Sequence, residues 1–379
     1  MMRLPTERPA ECPFDPPAGL AGLPAMSRLE FADGHLGGLA TTAEAARAVL
    51  GDPRFSARQE LKHAAVHAVP AGGPGRAAPP GFFAATDPPE HTRYRRLLTG
   101  QFTLRRMRLL EARIERIAAD HLDAMAAAGP PADLVTAYAL PIPSLVICEL
   151  LGVPYADHGL FQELSARLVT FGDGGAGALG ALIAYLRELV RGKRAKPDDD
   201  LLSGLTGELS DEELANLGVI LLVAGHETTA NMLALGVFAL LERGCAYEEG
   251  AVEELLRWLS ILHLGAPSRA ALEDVEVAGV TVRAGETVAL SLPVINRDPA
   301  VYADPDRLLP GRPEARRHLA FGHGVHQCLG QQLARIELRI GYRALFERFP
   351  GLRLAVPATE VPVKHDAAVY GVRSLPVTW

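Results

Sequence analysis

Three features of the chain predict a mainly α fold. The longest apolar run, residues 217–241, reads as one long buried helix. Apolar residues also recur at helical spacing over 105–127, 143–151, 181–192, 211–241 and 329–347. Strand-like alternation is confined to 270–292 and to the closing VYGVRSLPVTW. The balance of 48% apolar and 22% charged residues over 379 positions is that of an ordinary soluble globular protein. One large helical domain over residues 1–379, with a smaller β region, is therefore expected.

Composition removes several function classes. A net charge of −7 argues against wholesale binding of nucleic acid or membrane. The cysteines at 12, 148, 245 and 328 form no CxxC pair and no disulfide framework, so a reduced, cytoplasmic setting is expected. The first seventeen residues, MMRLPTERPAECPFDPP, lack the apolar core of a signal peptide. The 217–241 run has His226, Glu227 and Asn231 at its centre, where a bilayer would penalise them most, so it reads as a core helix.

Along the chain, Pro and Gly cluster in 1–24, 70–81 and 172–180, and 191–200 is a charged break. The apolar pattern resumes quickly beside each, so these are loops rather than linkers. The segment Asp87-Pro-Pro-Glu-His91-Thr-Arg-Tyr-Arg95 predicts a helix after its prolines, which puts His91 and Arg95 on one side. In the long helix, Ala224-Gly225-His226-Glu227-Thr228-Thr229 places an acid beside hydroxyls in apolar surroundings, costly unless they are partnered or used. The second His of a zinc-protease helix is absent. Thr228 is placed to bond back to the carbonyl one turn earlier. Glu254-Leu-Leu-Arg257 is, by spacing alone, a surface ion pair. Residues 270–292 read as hairpins turning at Ala-Gly and Arg-Ala-Gly, with Arg269 as an isolated cation just before them.

The most informative stretch is Phe321-Gly-His-Gly-Val-His326-Gln-Cys328-Leu-Gly330, directly before the amphipathic QQLARIELRIGYRAL. Cys328 meets a helix N-terminus, where free N–H groups and the dipole favour a thiolate. Gly322, Gly324 and Gly330 leave room for a flat group to approach the backbone. Three chemistries suit such a loop: a Cys nucleophile with His323 or His326 as base, a cramped zinc site, and a haem thiolate.

The stretch resembles the haem-binding loop of the cytochrome P450 family, Phe-x-x-Gly-x-His/Arg-x-Cys-x-Gly, at every defined position. The resemblance extends from about Asp52 to the C-terminus, including Asn296-Arg-Asp-Pro299. It implies the P450 fold, a large helical region around a long central helix with a smaller β-rich region, enclosing haem b with Cys328 as the axial ligand to iron. It assigns Thr228 to hydrogen-bonding dioxygen and Glu227 to proton delivery. His91, Arg95, Arg269 and His326 match positions that hold the haem propionates, while Phe321 and Gly330 belong to the binding loop. Glu254 and Arg257 match the family's Glu-x-x-Arg signature, a buried network for which Arg312 is the candidate third member.

The implied reaction is monooxygenation of a small apolar molecule, by hydroxylation or epoxidation, as in tailoring of polyketides, peptides or terpenes. Electrons would come from NAD(P)H through a ferredoxin reductase and a ferredoxin. The arginines at 93, 95, 96, 105, 106 and 108, with no acid over 93–108, suit a docking face for that acidic donor better than a nucleic-acid site. A haem-binding sensor or carrier is the alternative, although it needs neither proton delivery nor an electron donor. Candidate pocket residues are Phe82, Phe83, Val169, Phe171, Val223, Ala224, Leu262, Leu264 and Val369. Two segments depart from the family pattern. Residues 242–250 are too short for the usual peripheral helix, and 168–180 are short and glycine-rich where a lid is expected.

Overall fold

The chain opens with an antiparallel hairpin of β1 (Met26–Glu30) and β2 (Leu36–Ala40), followed by α1 (Ala43–Gly51) and the short β3 (Phe55–Ser56). Thr42 caps α1 by accepting from Ala45 N, and Asp298 Oδ2 accepts from Ala43 N at 2.9 Å. The computed structural model describes residues 2–9, 11–66, 75–169, 175–365 and 367–379, and about 49% of the described residues are helical.

The helical half begins with α2 (Glu90–Thr99) and α3 (Leu104–Ala128). After the two-residue β4 (Ala132–Asp133) come α4 (Pro141–Leu151), α5 (His158–Val169), α6 (Gly175–Ala195) and the long α7 (Asp211–Glu242). A capping box starts α7: the Ser210 side chain accepts from Glu213 N while the Glu213 carboxylate accepts from Ser210 N. Helices α4 and α6 pack along α7. Among the described residues α7 is the one helix long and apolar enough to cross a membrane, and 61% of its apolar window is buried in this core.

Helix α7 is followed directly by α8 (Ala251–Leu259), with no helix between them, as the shortened 242–250 segment suggests. The alternating segment then forms β5 (Ser268–Ala271), β6 (Val275–Val277), β7 (Val280–Val282) and β8 (Thr287–Leu290). Ala278 and Gly279 both have positive φ, which turns β6 into β7. After the one-turn α9 (Leu292–Ile295), α10 (Gln331–Arg348) crosses α7, and β9 (Arg353–Leu354) and β10 (Pro376–Thr378) join β4 in a small sheet.

The larger sheet has the order β1-β2-β8-β5-β3, so an N-terminal hairpin completes a sheet begun in the C-terminal half. This hairpin is not visible as alternation in the sequence, because β2, LGGLA, is buried at four of its five positions. Its glycines have a packing cause: a Cβ at Gly37 would stand 2.1 Å from Thr287 O on the neighbouring strand. The 191–200 break is also different in detail. Helix α6 continues through Ala195, and Lys193 is buried against Asp200 at 2.6 Å.

The crossing of α7 and α10 depends on a glycine. A Cβ at Gly236 would lie 2.1 Å from Tyr342 Oη, which donates to Met232 O at 2.6 Å. Overpacking at such a contact costs about 1–3 kcal/mol. Gly236→Val is therefore expected to lower the urea midpoint by that amount of stability. A wild-type midpoint would show that the crossing tolerates a wider spacing.

Candidate active site

The Cys328 loop is held from three sides. Cys328 N donates to Phe321 O at 2.8 Å, closing the loop on itself just before α10. Gly324 sits at φ +74 and approaches the end of α1 so closely that a Cβ would meet Leu50 O at 2.6 Å. This corrects the expectation that Gly324 leaves room for a bound group: its space is already taken by backbone. Gly322 and Gly330 do face open space. From below, the Arg335 guanidinium lies 4.6 Å from the centre of the Phe321 ring.

Arg335 leads to α8. Its Nε donates to Glu253 Oε1 at 2.6 Å, and His318 Nε2 lies 3.1 Å from Glu253 Oε2. Burial alone would raise the Glu253 carboxyl, but hydrogen bonds from His318 and Arg335 outweigh it and hold the group at about 2. The adjacent Glu254 is fully buried. It accepts from Arg257 Nε and Nη2, both at 2.7 Å, and from Arg312 Nε at 3.1 Å. The surface-pair reading by spacing is thus wrong, and Glu254, Arg257 and Arg312 do meet. Arg257 also donates to Asn296 O and Pro305 O, so the triad pins the irregular chain that precedes the Cys loop.

Cys328 is exposed by surface area, yet protein crowds its sulfur closely enough for burial to act on it. Burial raises its thiol, and the N–H groups of Gly330 and Gln331, with Arg95 and Arg335, pull in the opposite direction. The helix terminus acts with the expected sign, but without a metal cation it does not outweigh burial.

Cations gather beside Cys328. His91 and Arg95 come from α2, Arg269 from β5 and His326 from the loop; the His91 and His326 ring centres are 4.0 Å apart. Lys62, which sequence reasoning missed, joins them and feels Arg269 as its main charged neighbour. It lies in an irregular loop with no motif to mark it. Burial first, then Arg269, His91, Lys62 and Arg95, push His326 down to about 3. Two carboxylates are felt by this group: Asp87, which already accepts from Ser56 Oγ and Ala57 N, and Glu60, which acts on Lys62 and already accepts from Arg58 Nε. Both ring nitrogens of His91 and Nδ1 of His326 are buried without a partner. Arg95, Arg269 and Lys62, the last pushed down to about 8 chiefly by burial, and three orphaned ring nitrogens, beside two carboxylates already engaged elsewhere, fit a ligand bearing two carboxylates.

On α7, the Thr228 hydroxyl donates to Ala224 O, the back-bond expected from sequence. Asn231 Nδ2 donates to Glu227 O at 2.8 Å. His226 is buried, hydrogen-bonded to the Leu140 backbone and pushed down to about 4, chiefly by burial. Val223, 42% exposed, and Ala224 break the otherwise buried surface of the helix.

Comparison with known proteins decides the family. Residues 245–367 match the family model for cytochrome P450. Cytochrome P450 105C1 of a Streptomyces species is 51% identical over 97% of this chain and 96% of its own length. The chain belongs to the cytochrome P450 family. Pentalenic acid synthase of Streptomyces avermitilis is 46% identical over 97% of this P450 and 95% of that protein. The structure of Streptomyces peucetius CYP105P2, in complex with a biphenyl compound, superposes with a TM-score of 0.90 at 42% identity, covering 99% of this P450 and 98% of that chain. The protein is accordingly a P450 monooxygenase, and P450s bind haem through a cysteine thiolate.

Other expected residues are less uniformly placed. Leu262 pairs with Val369 in an antiparallel bridge, whereas Phe83, Leu264 and Val369 are themselves buried. Phe83 packs in the main core with Phe82 against it. Phe171 lies outside the described residues, and Val169 ends α5 with its side chain outside them too. The basic cluster is divided: Arg93 pairs with Glu213, Arg105 and Arg106 with Asp199, and Arg95 turns toward Cys328. Arg96 and Arg108 remain exposed.

The low value of Glu253 fixes a sign. A carboxylate held below its unfolded range adds stability above about pH 4.5, and that contribution is lost as pH falls toward about 2. Glu253→Gln is expected to lower the urea midpoint at neutral pH and to differ much less from wild type near pH 3. Equal differences at both pH values would contradict the pairing.

Proposed function

We propose that this P450 binds haem b through Cys328 and inserts one oxygen atom into a small apolar metabolite. The cation cluster is the observation that supports this best. Arg95, Arg269 and Lys62, with His91 and His326, form a buried positive site that a dicarboxylate neutralises, next to an accessible Cys sulfur at a helix N-terminus. Phe321 and Gly330 complete the loop, and Glu254, Arg257 and Arg312 support it without touching the cofactor.

Bound haem supplies the dioxygen and one-electron chemistry. The chain supplies protons and shape. Ala224 O engages the Thr228 proton and fixes Oγ1, leaving its lone pairs to receive a proton. Burial raises the Glu227 carboxyl against the opposing pull of Lys364 and Asn231, which suits it to giving up a proton. Val223 and Ala224 on α7 present an apolar surface one turn from Glu227 and Thr228, and Leu262, Phe82, Phe83, Leu264, Val369, Val169 and Phe171 are the further candidates for the substrate pocket. Pentalenic acid synthase, which by name makes a small organic acid, supports a small organic metabolite as substrate, and we assign it to the terpenes, polyketides or peptides hydroxylated or epoxidised after assembly. Electrons come from NAD(P)H through a ferredoxin reductase and an acidic ferredoxin in the bacterial cytoplasm, and the whole chain works as one domain.

Turnover with isotopically labelled dioxygen, ferredoxin and reductase tests the reading: one labelled atom should enter the product and the other water. Thr228→Ala should keep haem while product per electron pair falls by about 10²-fold, the lower end of what a positioned proton donor contributes. An unchanged yield would remove Thr228 from the proton path.

A further inference from the structure

The charged partner of Glu227 has so far been given no role of its own. Lys364 Nζ lies 3.8 Å from Glu227 Oε1, and both side chains are largely enclosed, at 19% and 14% exposure. Lys364 belongs to the C-terminal turn-back, in which Lys364 N donates to Gly371 O at 2.9 Å and Val363 bridges Val372. The contact of this segment with α7 has no slack. A Cβ at Gly371 would stand 1.9 Å from Asn231 Oδ1, and Asn231 Nδ2 donates to Glu227 O. The same segment carries Val369, paired with Leu262, and its Tyr370 N donates to Ile261 O at 2.7 Å. Its position against α7 is therefore set by backbone contacts on both sides, and the lysine is delivered to the acid by them.

We propose that Lys364 is the positioning residue of Glu227, holding its carboxylate in place and offsetting the negative charge that appears when Glu227 gives up its proton. This rests on the reading of Glu227 as the proton donor. The step balances: as Glu227 gives its proton to Thr228 Oγ1, the hydroxyl leaves Ala224 O and passes its own proton on to the oxygen being reduced, so the hydroxyl is restored and the carboxylate remains beside the Lys364 ammonium. Burial raises the Glu227 carboxyl, and Lys364 and the Asn231 side chain oppose that. The other charged and titratable groups here are His226, pushed down by burial, and Arg373, which adds to the burial that lowers the Lys364 ammonium while Glu227 raises it. The C-terminal segment that borders the candidate substrate pocket through Val369 thereby also sets how readily Glu227 releases its proton.

The experiment is an infrared titration of the full-length, haem-loaded protein at rest. It follows the protonated carboxyl stretch that Glu227→Gln abolishes. In Lys364→Met the midpoint should rise by about one pH unit, the size expected on removing an opposite charge at this range. Lys364→Arg should restore it toward wild type, a rescue that a merely structural role of the aliphatic stem does not predict. Should Lys364→Met fail to hold haem, Lys364→Gln is read in the same way. A wild-type midpoint in the uncharged variant overturns the proposal. The proton-donor reading is tested separately: a wild-type product yield per electron in Glu227→Gln overturns that reading, whatever the infrared midpoint does.

Discussion

The fully buried carboxylate of Glu254 is the constraint on which the site depends. Two guanidinium groups and the Leu309 N–H converge on it, and the donors left over on Arg257 and Arg312 hold carbonyls of residues 296–307. Removing one partner from such a network leaves an uncompensated charge and costs about 3–5 kcal/mol. That cost makes the long irregular segment between α9 and the Cys loop rigid without regular secondary structure. Asn296 extends the brace by accepting from Leu319 N through Oδ1 and donating to Ser260 Oγ. Glu253, one residue earlier on the same helix, holds His318 and Arg335. One turn of α8 thus supports both the approach to the loop and the start of α10.

The loop so held stands between two opposite electrostatic demands. Its sulfur is crowded enough that burial favours the neutral thiol, while helix N–H groups and two arginines favour the thiolate. Beside it, cations and unpartnered ring nitrogens lack a matching anion. A metal cation for the sulfur and a dicarboxylate for the cluster satisfy both demands, and haem carries both on one frame. Across the site, α7 has the reverse character, with an acid and a hydroxyl kept in an apolar helix by a single lysine and by back-bonds to the helix itself.

Much of this was legible in the sequence where chemistry and chain proximity coincide. The Cys328 loop, the Glu227–Thr228 pair and the helix carrying His91 and Arg95 are local patterns, and each lies on the expected element. Long-range partners were not legible from spacing. Glu254 and Arg257 looked like a surface pair because an i,i+3 spacing says nothing about what covers a helix; the resemblance, not the spacing, pointed to Arg312. Lys62 and Lys364 carry no motif and acquire their roles from loops folded onto distant elements. The basic run over 93–108 suggested one face, but successive helical positions point in different directions, and Glu213 and Asp199 reach it from more than a hundred and about ninety residues away in sequence. The β1–β2 hairpin escaped notice because a strand buried on both faces shows no alternation.

The measurement that bears most directly on the central claim is the absorption spectrum of the purified protein, reduced with dithionite and exposed to carbon monoxide, beside Cys328→Ser. A strongly red-shifted Soret band in the wild-type protein, lost in the variant, is expected if Cys328 gives a thiolate to haem iron. An unshifted band in the wild type, or a shifted band that survives in Cys328→Ser, would contradict it.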